Sequence, residues 1–241
     1  MNKRLERVQL LIGNQGINTL ANSTVLVVGV GGVGAMAIEA LARSGVGHLI
    51  IVDGDNIGES NINRQIHATT QTIGQPKVEA MKERVFLINP DCQVSTYQVF
   101  FDMSQKEILN SKIDFVIDAI DTITSKIDLI EICLDQKIPF ISSMGMANRF
   151  DSSKLIVTTL DKTEYDPFSK AVRAVARKRN LNLKQIPVVF SQEVGQIQNQ
   201  TINESGTTRK ERTPPASTSF VPPAAGLLLA SYVVRKLLEV E

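Results

Sequence analysis

Cysteine is nearly missing from this sequence: Cys92 and Cys133 are the only two in 241 residues, and no Cys-x-x-Cys pair occurs. That excludes a disulfide framework or a structural zinc site as the source of stability. An excess of charge is missing too, since 26 Lys and Arg against 25 Asp and Glu leave a net charge of +1, which singles out no partner. Long hydrophobic runs are absent. The longest apolar stretch, residues 224–234, is too short to cross a bilayer and is closed by Arg235 and Lys236. The N-terminal Met1-Asn-Lys-Arg-Leu-Glu6 lacks the apolar core of a signal peptide. A soluble, cytoplasmic protein with no membrane partner is expected. Against these absences, 43% apolar and 21% charged residues are ordinary for a globular chain. The length suits one large or two small domains with an ample core.

An amphipathic helix and turn are expected over residues 1–22, with Leu5, Val8, Leu11 and Ile12 on one side. A β-branched run at 24–29 then feeds through glycines into a helix near 33–44, and a second strand, 48–52, ends at Asp53. Pro76 is well placed to open a helix whose Val78, Met81, Val85 and Ile88 follow helical spacing. After it come a strand near 94–99, a short helix, and a buried strand, 115–117, leading to Asp118 and Asp121. A helix over 126–136 and a strand over 139–142 complete the half. Strands alternating with helices predict an α/β fold with a doubly wound, Rossmann-like, mostly parallel sheet. Ligands of such sheets sit at the carboxyl ends of the strands, where Gly31, Asp53 and Asp121 fall. The second half is less regular, with short strands at 155–160 and 187–190, a helix from Pro167 to about Lys178, and an apolar helix over 224–238. Residues 196–219 are polar and rich in Gly, Pro, Ser and Thr, which predicts a flexible loop. A single domain is expected, with a nucleotide-binding core at about 20–145 and a C-terminal, substrate-side extension at about 150–241.

The run Thr24-Val-Leu-Val-Val-Gly29-Val-Gly31-Gly32-Val-Gly34 points backbone N–H groups at phosphate oxygens. Asp53 follows Gly29 where an acidic residue takes the ribose hydroxyls of either NAD or ATP, so it does not discriminate between them. Asn61, Asn63, Arg64, Gln65 and Lys77 do. An Arg holds two phosphate oxygens in its planar fork while a Lys places a point charge on another, and together they neutralise charge developing on phosphate. That favours breaking ATP over shuttling hydride. Asp121 suits Mg²⁺, a hard ion that takes carboxylate and phosphate oxygen; Asp118 and Asp121 also suit capping of the following helix.

The order GVGGVG, D-G-D, NINRQ, a Lys after Gly74-Gln-Pro and DAIDT resembles the adenylating superfamily of ubiquitin-activating-type enzymes, the ThiF/MoeB group. The flanking words Leu11-Ile-Gly13, Ala40-Leu-Ala-Arg-Ser-Gly-Val-Gly47, Asn61–His67, Ile88-Asn-Pro90 and Ser219-Phe-Val-Pro-Pro223 are similar to its tRNA threonylcarbamoyladenosine dehydratase family. The similarity runs nearly end to end and is weakest from about 192 to 215. It implies ATP and Mg²⁺ as cofactors, activation of the threonine carboxylate of the modified nucleoside in tRNA, and its cyclisation. By position, Gly31 and Gly32 would line the phosphates, and Asp53, with Asp55 beside it, would hold the ribose. Asn61 and Arg64 would contact the triphosphate, Lys77 the α-phosphate region and Asp121 the Mg²⁺. Arg64, Lys77 and Asp121 are then the catalytic set. Arg4 or Arg7 matches an arginine that reaches the other subunit's nucleotide, which implies a homodimer.

The departures from the superfamily are as telling. Members that pass an acyl group to sulfur often carry a later cysteine and zinc-binding Cys pairs; here no cysteine follows Cys133, so a thioester step is doubtful. Sulfur-transfer proteins remain as partners that the resemblance suggests. The neighbouring carbamoyl group can capture the activated carboxylate instead, because closing a small ring within one bound molecule has an effective molarity of about 10⁵–10⁸ M. For RNA, residues 170–184 hold Lys170, Arg173, Arg177, Lys178, Arg179 and Lys184 with no acidic residue, a basic face able to hold a phosphate backbone. Arg209, Lys210 and Arg212 in the polar loop could join it. Two other readings stand beside this one: adenylation of a ubiquitin-like sulfur carrier, and an NAD-dependent oxidoreductase or non-catalytic nucleotide binder.

Overall fold

In the computed structural model, residues 3–110, 112–196 and 215–240 are described. Seven strands form one sheet: β1 (Thr24–Val28), β2 (His48–Val52), β3 (Gln93–Tyr97), β4 (Phe115–Asp118), β5 (Phe140–Ser143), β6 (Leu155–Thr159) and β7 (Pro187–Ser191), in the order β3-β2-β1-β4-β5-β7-β6. All pairings are parallel except β6 with β7. The unbroken apolar runs of β1 and β2 are explained by burial on both faces. Alternate β1 residues divide between two cores. Val25 and Val27 face α2 (Gly32–Ser44), α3 (Lys77–Ile88) and α6 (Val221–Leu237), whereas Leu26 and Val28 pack with α4 (Ile123–Gln136) and α5 (Pro167–Lys178).

The chain leaves β1 toward β2 and β3, then returns to place β4 on the other side of β1. That reversal opens a crevice between the ends of β1 and β4, where ligands of doubly wound sheets bind. The turn into α2 is tight: a Cβ on Gly34 would lie 1.8 Å from the Gly29 carbonyl oxygen, so no side chain fits there.

Several boundaries differ from the sequence reading. The N-terminal helix α1 (Glu6–Ala21) breaks at Gly13, whose φ of 69° and ψ of −179° are not helical. The break gives the two halves different faces, so Leu11 is 86% exposed while Leu20 and Gly16 are buried, and the expected stripe through Leu11 does not form. Helix α6 starts at Val221 rather than at 224, because Pro222 and Pro223 occupy its first turn, where a missing N–H leaves no bond unmade. Helix α4 likewise begins at Ile123, not 126. The second half contributes β6 and β7 to the same sheet, with β6 as an antiparallel edge strand. Most of the loop expected at 196–219, with Arg209, Lys210 and Arg212, lies outside the described residues.

Candidate active site

A cleft of about 830 Å³ opens at the carboxyl ends of β1, β2, β4 and β5. It gathers Gly31, Gly32, Asp53, Asp55, Asn61, Arg64, Lys77 and Asp121 from five separate segments. Gly31 precedes α2 without a capping side chain, so among the described residues no side chain satisfies the first N–H groups of that helix, which start at the cleft with the positive end of its dipole. A helix start of this kind suits an anion.

Asp53 ties two segments of the wall together. Val30 N–H donates to its Oδ2 at 2.6 Å and Asp55 N–H to its Oδ1 at 2.8 Å. Burial pushes the Asp53 carboxyl above its ordinary value, with Lys77 acting against that shift. Each oxygen retains a lone pair for a hydroxyl donor. Lys77, in the first turn of α3, is buried; its Nζ lies 2.7 Å from Asp55 Oδ2 and 4.0 Å from Asp53 Oδ1. A polyphosphate entering the cleft would compete with Asp55 for that ammonium.

Arg64 lies over the start of α2, for a Cβ built on Gly32 would be 3.2 Å from Arg64 Cγ. Its Nη1 donates to Ser60 O and Asn63 Oδ1, both at 2.9 Å, and among the described residues no carboxylate pairs with it. Asn61 Oδ1 accepts the Gly58 N–H at 2.9 Å, which orients the amide at the cleft wall. Asp121 is exposed and makes no ion pair within 4.0 Å among the described residues, although its charge acts on the buried Lys126 ammonium; the one hydrogen bond found for it among those residues is a long one, 3.5 Å, from Thr122 Oγ1. The cleft therefore offers a guanidinium with no carboxylate against it at one side and an exposed carboxylate at another. Among the described residues no three His, Cys, Asp or Glu side chains cluster as a metal cage. A lone carboxylate is what a Mg²⁺ ion delivered on phosphates requires.

Asp118 does not cap α4. It is fully buried, with Lys126 Nζ at 2.8 Å and Ser142 Oγ donating at 2.6 Å to Oδ2, while Ile120 N–H donates to Oδ1 at 3.0 Å. Burial pushes the Lys126 ammonium down, and Asp118 opposes that shift. The last of these bonds fixes the turn that carries Asp121. Lys126 was missed in the sequence, although it shares a helical stripe with Ile130 and Cys133 and was therefore readable as buried. His67 and Gln65 were also missed as buried groups. Among the described residues neither His67 ring nitrogen nor Gln65 Oε1 has a hydrogen-bond partner, and burial, with Lys77 and Arg84 nearby, lowers the His67 pKa to about 4.

The remaining expected residues lie outside the cleft. Arg4 pairs with Asp91 of its own chain, and Arg7 is exposed on α1. On α5, Arg177 and Lys178 are exposed. Arg173 donates to Thr163 O at 2.7 Å, and Arg179 bridges Asp128 and Glu131 at 2.6 and 2.7 Å, so both guanidinium groups are already engaged. Both cysteines are buried, which pushes Cys92 up to about 11 and raises Cys133 as well. No described helix is long and apolar enough to cross a membrane.

Comparison with known proteins finds relatives over nearly the whole chain. The chain is 43% identical over 242 residues to the tRNA threonylcarbamoyladenosine dehydratase of Bacillus subtilis, an alignment covering 98% of this chain and 95% of that protein. The structure of E. coli tRNA N6-threonylcarbamoyladenosine dehydratase, TcdA, in complex with AMP matches with a TM-score of 0.89 at 30% identity, covering 98% of this chain and 95% of that one. The ATP complex of the same enzyme matches with a TM-score of 0.87, again at 30% identity, covering 98% and 94%. The ThiF family model spans residues 3–241, taking in the glycine turn, the cation pair and both halves of the sheet, and the chain belongs to that family.

Proposed function

We propose that this protein is an ATP-dependent tRNA threonylcarbamoyladenosine dehydratase. The observation that carries the reading is the 43% identity to the B. subtilis dehydratase over 98% of the chain. In this reading the α2 N-terminus, Arg64 and Asn61 hold the triphosphate, and Asp53 takes the ribose hydroxyls. Lys77 exchanges Asp55 for the α-phosphate. Asp121 is the protein ligand for Mg²⁺, which supplies charge neutralisation on the phosphates when bound.

A threonine carboxylate oxygen attacks the α-phosphorus and pyrophosphate leaves, giving an acyl adenylate. The carbamoyl group of the same substituent then attacks the acyl carbon and releases a proton to solvent, the acyl C–O bond breaks and AMP departs with that oxygen, so the nucleoside has lost the elements of one water. Arg64 and Lys77 act at the phosphates as charge moves there. The enzyme's task in the second step is to orient the chain and exclude water. No thiol takes part: both cysteines are buried, which counts against a thioester and against sulfur transfer through this chain.

The tRNA backbone lies along α5 on Lys170, Arg177 and Lys178, with Arg173 and Arg179 holding the helix in place. The working unit is a homodimer in which Arg7 reaches the second cleft, Arg4 being paired at home with Asp91. Nucleosides from tRNA incubated with the protein and Mg·ATP, analysed by mass spectrometry, test the proposal. Loss of one water from threonylcarbamoyladenosine is expected, and an unchanged nucleoside would contradict it.

A further inference from the structure

Tyr165 has no part in the chemistry above, yet its setting is unusual. It is 68% exposed, and its φ of 54° lies in the left-handed region that bulky residues rarely take. Such strain persists only where the surroundings hold it, and it gathers at functional sites.

Those surroundings are the next residue and its partners. Asp166 is buried and accepts the N–H groups of Phe168 at 3.2 Å and Ser169 at 3.1 Å, which starts α5. It also accepts Gly145 N–H at 3.1 Å, and Arg149 Nη2 lies 3.5 Å from its Oδ1. Gly145 and Phe168 line the cleft. Downstream, Lys170, Arg177 and Lys178 are exposed and have no ion-pair partner among the described residues. A solvent-facing ring thus follows from a backbone held beside the wall of the cleft and the start of a basic helix.

We infer that Tyr165 is a stacking platform for an unpaired RNA base adjoining the nucleotide in the cleft, with the strand continuing over the cations of α5. This rests on the tRNA reading and deepens it. Unpaired loops are recognised by bases splayed onto aromatic faces, and an exposed ring beside a basic track supplies both elements.

The test is the affinity of a fluorescently labelled anticodon stem-loop for the wild type, Tyr165→Asn and Tyr165→Trp. Asparagine tolerates the left-handed backbone and removes the ring; tryptophan keeps a stacking face. Tyr165→Asn is expected to weaken loop binding about tenfold or more, with ATP affinity unchanged and Tyr165→Trp close to wild type. A blunt-ended RNA duplex, with no unpaired base, should bind the three proteins equally. Wild-type affinity in Tyr165→Asn, or an equal loss on paired RNA, overturns the inference. If Tyr165→Asn also loses ATP binding, Tyr165→Leu decides by the same criteria. Wild-type protein that binds the loop but never dehydrates tRNA contradicts the dehydratase reading and leaves the stacking inference intact. Conversion of tRNA together with undiminished binding by Tyr165→Asn removes the stacking inference alone.

Discussion

Replacing Lys126 by Met removes the cation from a pair in which both side chains are 0% exposed and the contact is 2.8 Å. Asp118 would keep its bonds from Ser142 Oγ and Ile120 N–H but lose the one ion-pair partner it has among the described residues. Taking one partner from a buried pair costs about 3–5 kcal/mol, chiefly the burden of a carboxylate left in a low-dielectric interior. Against a folding stability of about 5–15 kcal/mol, that is a large share. Urea unfolding at pH 7 reads it as a fall in the midpoint at an unchanged slope. The double variant Asp118→Asn/Lys126→Met, which removes both charges, should recover most of the loss and makes the coupling visible as a double-mutant cycle. A deficit in Lys126→Met no greater than that of an exposed pair, about 1 kcal/mol or less, would refute the reasoning. So would a double variant as unstable as the two single losses combined.

Four further outcomes are expected. His67 titrates near pH 4 when folded and near 6.5 when unfolded, so the unfolded state binds the extra proton between these values and stability falls as pH drops through that window. The loss amounts to about 3 kcal/mol, and His67→Gln should flatten the acid limb of a midpoint-against-pH plot; an unchanged limb contradicts the assignment. Arg64→Ala should lower turnover about 100-fold or more while leaving the thermal midpoint of the unliganded protein within a few degrees, since among the described residues Arg64 makes no ion pair to lose; nearly full turnover would remove it from the phosphate site. Lys170→Glu with Arg177→Glu should raise the KM for tRNA and reduce its salt dependence, with the KM for ATP unchanged; a tRNA KM equal to wild type would move the RNA off α5. N-ethylmaleimide applied to the native protein should leave activity intact, because neither thiol is exposed or acidic; rapid inactivation would restore a covalent route.

Much of this structure was legible before any coordinates. The central strands β1, β2 and β4 announced themselves as apolar runs because each is buried on both faces, and the glycine turn, Asp53 and Asp121 follow strand ends because that is where a doubly wound sheet places its loops. Other features depend on contacts that no local pattern encodes. The Gly13 break looks, in sequence, like a tolerated glycine inside a helix, and the antiparallel run of β6 follows from β7 entering between it and β5. Arg179 read as a free cation because its partners, Asp128 and Glu131, are about fifty residues away on α4. Lys126 is the instructive miss. Its position on the apolar stripe of α4 was visible, but the identity of its partner required the end of β4 to be placed beside that helix.

The central claim is that ATP activates the substrate carboxylate at its α-phosphorus and that the oxygen leaves with the nucleotide. tRNA whose threonylcarbamoyl carboxylate carries ¹⁸O, turned over with unlabelled Mg·ATP, tests it directly. The account predicts AMP bearing one ¹⁸O on its phosphate, in step with the cyclised nucleoside and pyrophosphate. Label found in inorganic phosphate alongside ADP, or in water with AMP unlabelled, would contradict it.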